Sequence, residues 1–451
     1  MGYRIAHIGA FDFENYGDLL FPDVLRIQLD KRIEIEEILY FAPKACKMPN
    51  RDIDVHAINE LENIVRKCKI DAIIVGGGDI IQMQMTKTHM PHISDCEVLY
   101  EVLYIWIIPS MVAKKYSIPL LWNAPGVPLH FAKEEKELVS YLCEAVDYIS
   151  VRDQESQKEL AYAIGGEHIH VVPDTVLCIR DLVKKEELIK KFDELDLPFL
   201  REQYVFFQCN MPENDDYYES CANALRKIKE ETGWQVLLQP IGYSVWDEQV
   251  MGNLQKRYSG EFIYSPRHYS QYELLTLIAN ASLYIGTSLH GCITANSYGV
   301  RNIVINVNNL NKIDGFSKLI GMKTSIIHKP DEILNAFFNN EIIEESVIQE
   351  KICQITYHFD KMAKIISQSE RSEKDSKDDK LANYINANFL RVRELEEQIN
   401  NLHQTMKQIL EKKEQEINFY KSLSEEVLNS TSWKATKPLR KISNILKGRG
   451  N

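Results

Sequence analysis

Short apolar runs that end in glycine, proline or aspartate and alternate with amphipathic stretches constrain this chain more than any other feature. They begin with "RIAHIGA" (4–10), followed by "DLLFPDVLRIQLD", and continue through "DAIIVGGG" (71–78), "PLLWNAPG" (119–126), "DYISVRD" (147–153) and "HIHVVPD" (168–174). Runs of this kind separated by helical segments predict a parallel sheet covered by helices. After the charged connection "KKEELIKKFDELDLPFLREQ" the rhythm restarts with "YVFFQCN" (204–210), "WQVLLQP" (234–240), "EFIYSP" (261–266), "SLYIGTS" (282–288) and "RNIVINV" (301–307). The chain of 451 residues is also too long for one hydrophobic core. The sequence therefore predicts two Rossmann-like α/β domains in series, over 1–190 and 200–365. Open sheets of this type bind ligands beyond the carboxyl ends of their strands.

Composition narrows the class. With 45% hydrophobic and 26% charged residues, the chain is neither disordered throughout nor membrane-spanning. The longest apolar stretch, "VLYEVLYIWIIPSMVA" (98–113), is broken by Glu101 and Pro109 and suits a buried helix. The start, "MGYRIAHIGAFDF", lacks the basic and apolar regions of a signal peptide, which predicts a cytoplasmic location. Nine scattered cysteines without a CxxC pair predict reduced thiols and no metal site. A net charge of −12 argues against a nucleic-acid partner.

From about 366 the composition changes. "SQSERSEKDSKDDK" reads as a charged linker over 366–380. Beyond it, over 381–427, Val392, Leu395, Ile399, Leu402, Met406 and Ile409 follow a short heptad pattern that Lys413 interrupts. That pattern suits homo-oligomerisation through 389–424, or a helix folding back on the body. The tail over 428–451 contains "SWKATKPLRKISNILKGRG", whose six basic residues are interleaved with Trp433, Leu439, Ile442, Ile445 and Leu446. Such a tail, over 433–451, suits peripheral contact with an anionic membrane; a solvated, frayed end fits equally well.

The candidate site residues all lie at strand ends. In "NYGD", Asn15, Gly17 and Asp18 open a turn into a helix, although Asp18 alone would pass for a cap. Gly77, Gly78 and Asp79 in "VGGGD" let backbone press against a ligand or another loop, without forming a P-loop. Arg152 precedes Asp153, a natural N-cap, and could offer a fixed positive charge. Asp174 follows Pro173 at another strand end, and Arg267 and His268 share a loop that would suit a phosphate. His290 has the strongest claim: imidazole is the side chain that exchanges protons near neutrality. Gly286, Thr287, Ser288 and Gly291 are expected to clear space around it.

Taken in order, "NYGD", "VGGGD", "APGVP", "SVRD", "VPD" and "GTSLHGCITANSYGV" resemble the polysaccharide pyruvyl transferase family over roughly residues 1–330. The resemblance implies a GT-B-like pair of domains. It also implies transfer of a pyruvyl group from phosphoenolpyruvate to two hydroxyls of a sugar, giving a ketal and inorganic phosphate with no metal or organic cofactor. The partners implied are phosphoenolpyruvate and a saccharide acceptor of a bacterial surface polysaccharide or its lipid-linked precursor, at the inner face of the cell membrane. In the family pattern an arginine, a leucine and a histidine are in sequence; here His290 is present but Ser288 holds the arginine position. A serine cannot supply a bidentate, charged clamp. Either Arg152, Arg267 or His268 brings the charge, or the chain has a modified donor preference or has lost the activity; on the first alternative these three residues hold the donor's anions, His290 moves the proton, and Asn15, Asp18, Asp79 and Asp174 contact the acceptor or shape the cleft. Two other readings stay open: a nucleotide-sugar glycosyltransferase, and a non-catalytic scaffold subunit of polysaccharide assembly.

Overall fold

The computed structural model describes residues 2–83, 96–195 (backbone only for 96–103), 197, 203–210, 214–244, 247–265, 267–339, 342–369, 405–407, 409, 412–414 and 416–440. The chain forms two compact units, Met1–Asp375 and Ser376–Asn451.

Among the described residues the first unit holds two six-stranded sheets and a short two-stranded one. Strands β1 (Tyr3–Ile8), β2 (Ile35–Ala42), β3 (Cys46–Lys47), β4 (Asp54–Ala57), β5 (Ala72–Gly76) and β6 (Leu120–Asn123) lie in the order β3-β4-β2-β1-β5-β6. All neighbours are parallel except β3 with β4. A bridge from Leu121 to Tyr148 continues the sheet towards the short parallel pair β7 (Ser150–Val151) and β8 (His170–Val171). Helices α1 (Phe21–Asp30), α2 (Leu61–Lys67), α3 (Cys96–Tyr116), α4 (Lys136–Cys143) and α5 (Gln154–Ile164) connect these strands. Every residue of β5 is buried, which is why "AIIVG" reads as a continuous apolar run. Helix α3 is the buried helix expected of the long apolar stretch, with Ile105, Trp106, Val112 and Ala113 in the core. Among the described residues no helix is long and apolar enough to cross a membrane.

A turn over Thr175–Asp181 and α6 (Lys185–Glu194) make the passage to the second sheet. Lys185 Nζ donates to the Tyr298 carbonyl and Asn280 Nδ2 to that of Leu188, so α6 already packs on the second domain. The boundary expected at 190 falls inside this helix. The chain changes domain upstream of its charged connection because the turn is apolar and buried at Thr175–Ile179.

The second sheet consists of β9 (Tyr204–Gln208), β10 (Gln235–Leu238), β11 (Ile263–Tyr264), β12 (Leu283–Gly286), β13 (Arg301–Ile305) and β14 (Ile326–Ile327), all parallel, in the order β11-β10-β9-β12-β13-β14. This is the doubly wound order, with its reversal between β9 and β12. Its helices are α7 (Asp215–Thr232), α8 (Asp247–Arg257), α9 (Gln271–Ala279), α10 (Leu289–Ser297), α11 (Asn311–Ile320) and α12 (Ile333–Asn339). The corresponding reversal in the first sheet lies between β1 and β5. Thus the loops after β1 and β5, and those after β9 and β12, carry the candidate site.

Helix α13 (Glu345–Gln368) returns to the first domain. His358 bonds Tyr148 Oη at 3.0 Å and Asn123 Oδ1 at 3.1 Å, and Arg32 Nη2 donates to the Thr356 carbonyl at 3.1 Å. The linker expected from 366 begins within this helix, and from 370 on it lies outside the described residues.

In the second unit the described residues include a helical run over 416–429 and a helix at Thr431–Ala435, capped by Ser430. Met406, Ile409, Ile417, Phe419, Tyr420, Leu423, Val427 and Leu428 are exposed. The Arg440 guanidinium lies 3.5 Å from the centroid of the Trp433 ring. Val392, Leu395, Ile399 and Leu402, and the tail from 441, lie outside the described residues.

Candidate active site

The strand-to-helix turn after β12 is built by hydrogen bonds from within. Gln208, the last residue of β9, accepts through Oε1 from the backbone N–H of Thr287 (3.0 Å) and Ser288 (3.1 Å). Its Nε2 donates to Asp247 Oδ2 at 2.8 Å, which also accepts from the N–H groups of Ile241 (3.1 Å) and Gly242 (3.0 Å). Ser288 is the N-cap of α10, accepting from Gly291 N at 3.3 Å, so its hydroxyl is engaged by its own helix. His290 follows in the first turn of α10, and all nine residues of that helix are buried.

His290 sits in a slot made by the other domain. Its Nε2 is 3.4 Å from Asp174 Oδ2, and its ring meets that of Phe21 edge-on at 5.4 Å. A Cβ on Gly17 would stand 1.8 Å from His290 Nδ1. Gly17 is therefore the residue that makes room for the imidazole. The glycines expected to do so, Gly286 and Gly291, instead clear the Tyr284 hydroxyl, which a Cβ would approach to 2.3 and 2.1 Å respectively. Both His290 Nε2 and Asp174 Oδ2 are buried and lack a hydrogen-bond partner among the described residues. Asp174 Oδ1 accepts from Val176 N at 3.1 Å, which fixes the carboxylate at the start of the crossing turn.

Beside this pair lies a charged group drawn from three loops. Asp79 Oδ1 is paired with Arg152 Nη2, and Asp79 Oδ2 lies 3.1 Å from Lys312 Nζ. Arg152 is buried, with Nε 3.5 Å from Asp153 Oδ2. Burial acts to raise the Asp79 carboxyl, but the charges of Arg152 and Lys312 outweigh it and hold it well below the usual carboxylate range. Burial likewise works against the Arg152 charge, and Asp79, Asp153 and Asp174 more than restore it, raising that group. Asp18 differs: burial raises its carboxyl, the charges of His290 and Lys312 oppose this, and the charge of Asp79 adds to it. Asp18 does not cap the turn it opens; its Oδ2 accepts from Asn15 Nδ2 at 2.8 Å.

Glycines give these groups their closeness. Gly77 (φ +82°) and Gly78 (φ +77°) adopt the left-handed conformation, where a Cβ would meet Phe21 and Asp18 respectively. A Cβ on Gly126 would come within 2.6 Å of both Arg152 and Asp79. The loop after β1 is also tied to the second domain: Asn15 bridges to Gly242, and Tyr16 Oη bonds Thr294 Oγ1 at 2.8 Å.

Of the residues singled out in the sequence, Asn15, Asp18, Gly77, Gly78, Asp79, Arg152, Asp174, Ser288 and His290 thus belong to one connected neighbourhood. Arg267 and His268 make other contacts. Arg267 pairs with Glu273, and His268 Nδ1 lies 3.2 Å from Glu14 Oε1 while its ring packs on Tyr243. Gly126, Gln208 and Lys312 were not among the candidates, and Gly17 was singled out only for the turn after β1 and not for the space it leaves His290. Lys312 has one sequence signal: like the others, it closely follows a strand end, that of β13.

The arrangement offers a buried imidazole, a carboxylate facing it, and cations one carboxylate away. The model of the family described as polysaccharide pyruvyl transferase matches residues 15–309. No curated protein sequence matches the chain. Similar solved structures include UDP-GlcNAc 2-epimerase from Neisseria meningitidis bound to UDP-GlcNAc, at 14% identity and TM-score 0.50, covering 81% of this chain and 98% of that one. UDP-GlcNAc 2-epimerase from Methanocaldococcus jannaschii is similar at 15% identity and TM-score 0.50, covering 79% and 100%. At these identities the likeness concerns the fold alone, which is the GT-B arrangement of two α/β domains.

Proposed function

Because the chain belongs to the polysaccharide pyruvyl transferase family, we propose that it moves a pyruvyl group from phosphoenolpyruvate to two hydroxyls of a sugar in a bacterial surface polysaccharide or its precursor. The observation that carries this reading is His290, held in a slot between Gly17, Phe21 and Asp174 with Nε2 unbonded among the described residues. The reaction needs one proton delivered to the methylene carbon of the donor while a hydroxyl oxygen bonds to its C2 and gives up its own proton. The C2–O bond to phosphate then breaks, and a second hydroxyl closes the ketal, releasing its proton as phosphate departs. No redox change is involved.

In this reading His290 carries the proton, and Asp174, 3.4 Å from Nε2, orients the ring. Arg152 faces the donor's charge, fixed by Asp79 and Asp153. Asp18, raised by burial, and Asn15 face the acceptor as hydrogen-bonding groups. Ser288 shapes the turn as a helix cap instead of clamping an anion.

The test is incubation of the purified protein with carbon-labelled phosphoenolpyruvate and a panel of mono- and oligosaccharides. The reading predicts equal amounts of ketal and inorganic phosphate with at least one acceptor, and loss of both in a folded His290→Ala protein. Full turnover by that variant would remove His290 from the role.

A further inference from the structure

Lys413 interrupts the apolar seam of the second unit but not its repeat of seven. Counting sevens from Met406 reaches Lys413, Tyr420 and Val427, and counting sevens from Ile409 reaches Glu416 and Leu423. These are the a and d positions of one heptad register, the line along which the helices of a coiled coil meet. All seven residues are helical. The apolar ones, which such a line normally buries, are 44–65% exposed. We propose that this face pairs with the same face of a second copy of the chain, running antiparallel, with Lys413 set against the partner's Glu416 and Glu416 against the partner's Lys413.

The direction follows from the two charges. In a parallel pair each core position meets its own copy, so that Lys413 faces the partner's Lys413 and Glu416 the partner's Glu416. Like charges placed opposite one another in a seam repel. In an antiparallel pair each a position meets a d position instead, and a two-fold axis midway between 413 and 416 makes the two opposite-charge contacts equivalent. The same axis sets Met406 against the partner's Leu423 and Ile409 against the partner's Tyr420. Apolar side chains thus meet apolar ones, and cations meet anions, at every core position from 406 to 423. Within one chain Lys413 Nζ lies 2.8 Å from Glu416 Oε2 while the two side chains stay 66% and 48% exposed. An exposed pair of this kind contributes little to a single chain, so both groups can turn to a partner at small cost.

The surroundings of the line favour a second copy over a lipid surface. Ile417 and Phe419, at the flanking e and g positions, are exposed as well and widen the apolar face. Glu414, Asn418, Lys421 and Glu425 lie away from it, at b and f positions, and are exposed. A helix that lies on an anionic membrane carries an excess of Lys and Arg beside its apolar face. Here Lys412, Lys413 and Lys421 are outnumbered by Glu414, Glu416, Glu425 and Glu426. The inference does not rest on the pyruvyl transfer reading.

Sedimentation equilibrium of the full-length protein tests it, with wild type, Lys413→Glu, Glu416→Lys and the double reversal compared. The wild type is expected to be a reversible dimer. Each single reversal opposes like charges at both central contacts and should raise the dissociation constant by about 100-fold. The double reversal restores opposite charges and should return it close to the wild-type value. A parallel dimer has like charges at these positions before and after a single reversal, so dissociation unchanged in Lys413→Glu and Glu416→Lys overturns the antiparallel register. Failure of the double reversal to restore the dimer overturns the contact between Lys413 and Glu416. A monomeric wild type overturns the pairing altogether, and its flotation through this face with phosphatidylglycerol vesicles would assign the face to a membrane.

Discussion

Replacing Gly17 by alanine should dislodge His290 while leaving the fold in place. The backbone at Gly17 (φ −68°, ψ −47°) is one that alanine adopts freely, and such a Gly→Ala change stabilises by about 0.4–1 kcal/mol through the unfolded chain. Against this, the new Cβ would stand 1.8, 2.2 and 2.6 Å from three atoms of the His290 ring. Ordinary contacts lie near 3.5 Å or more, so the ring must retreat by roughly 1–2 Å. Phe21 and Asp174 close the slot, and overpacking of this kind costs about 1–3 kcal/mol. The balance is a net destabilisation of about 0–2.5 kcal/mol, too little to unfold the domain. The effect on chemistry is larger, because a misplacement of about 1 Å at a reacting group costs on the order of 100-fold. Urea unfolding should therefore show a small change, while phosphate release from phosphoenolpyruvate on a saccharide panel falls by about two orders of magnitude. A Gly17→Ala protein with both wild-type stability and wild-type turnover would refute the slot.

Other substitutions probe the neighbouring groups. Gln208→Leu leaves the Thr287 and Ser288 N–H groups and Asp247 without a buried partner, and should cost about 2–4 kcal/mol in urea unfolding. Asp174→Asn keeps an oxygen for the Val176 N–H but removes the charge facing His290; turnover should fall by about 10- to 100-fold with stability within about 1 kcal/mol. His358 is held at about 3 by burial first, with the charges of His170, Arg32 and Lys361 adding to it. The unfolded chain therefore binds this proton between about 6.5 and 3 while the folded one does not, and His358 contributes stability above about 6.5 that is lost as pH falls. His358→Gln should remove about one proton from the acid limb of the pH dependence of unfolding; an unchanged slope would contradict this.

The strand ends were legible because central parallel strands must be apolar on both faces and stop at residues that permit a turn. "AIIVG" and "YVFFQ" are wholly buried strands, and the residues just beyond such strands form most of the site. His290 stood out for the same reason. What sequence periodicity does not carry is which loop of one domain faces which loop of the other. Hence Gly17, far from His290 in sequence, was read as a turn residue that lets a ligand approach, and the space around His290 was credited to Gly286, Thr287, Ser288 and Gly291, of which the two glycines serve Tyr284. Gly126 likewise matters because of Arg152 and Asp79, residues on two other loops. Arg267 and His268 looked like a phosphate pair by adjacency alone, whereas Glu273 and Glu14 hold them. The passage over 175–194 joins the domains: its turn packs on α10 and also on α1 and α13, and α6 bonds to Tyr298 and Asn280 of the second domain, so charge density did not mark the change.

Thermal unfolding of the purified protein with phosphoenolpyruvate, phosphate or UDP tests most directly the proposal that this cleft takes phosphoenolpyruvate. A ligand at 100 times its Kd stabilises by about 2.7 kcal/mol. The account predicts a rise in melting temperature with phosphoenolpyruvate that shrinks in Arg152→Ala, with little effect of UDP. Protection by UDP and none by phosphoenolpyruvate would contradict it and turn the cleft towards a nucleotide-sugar.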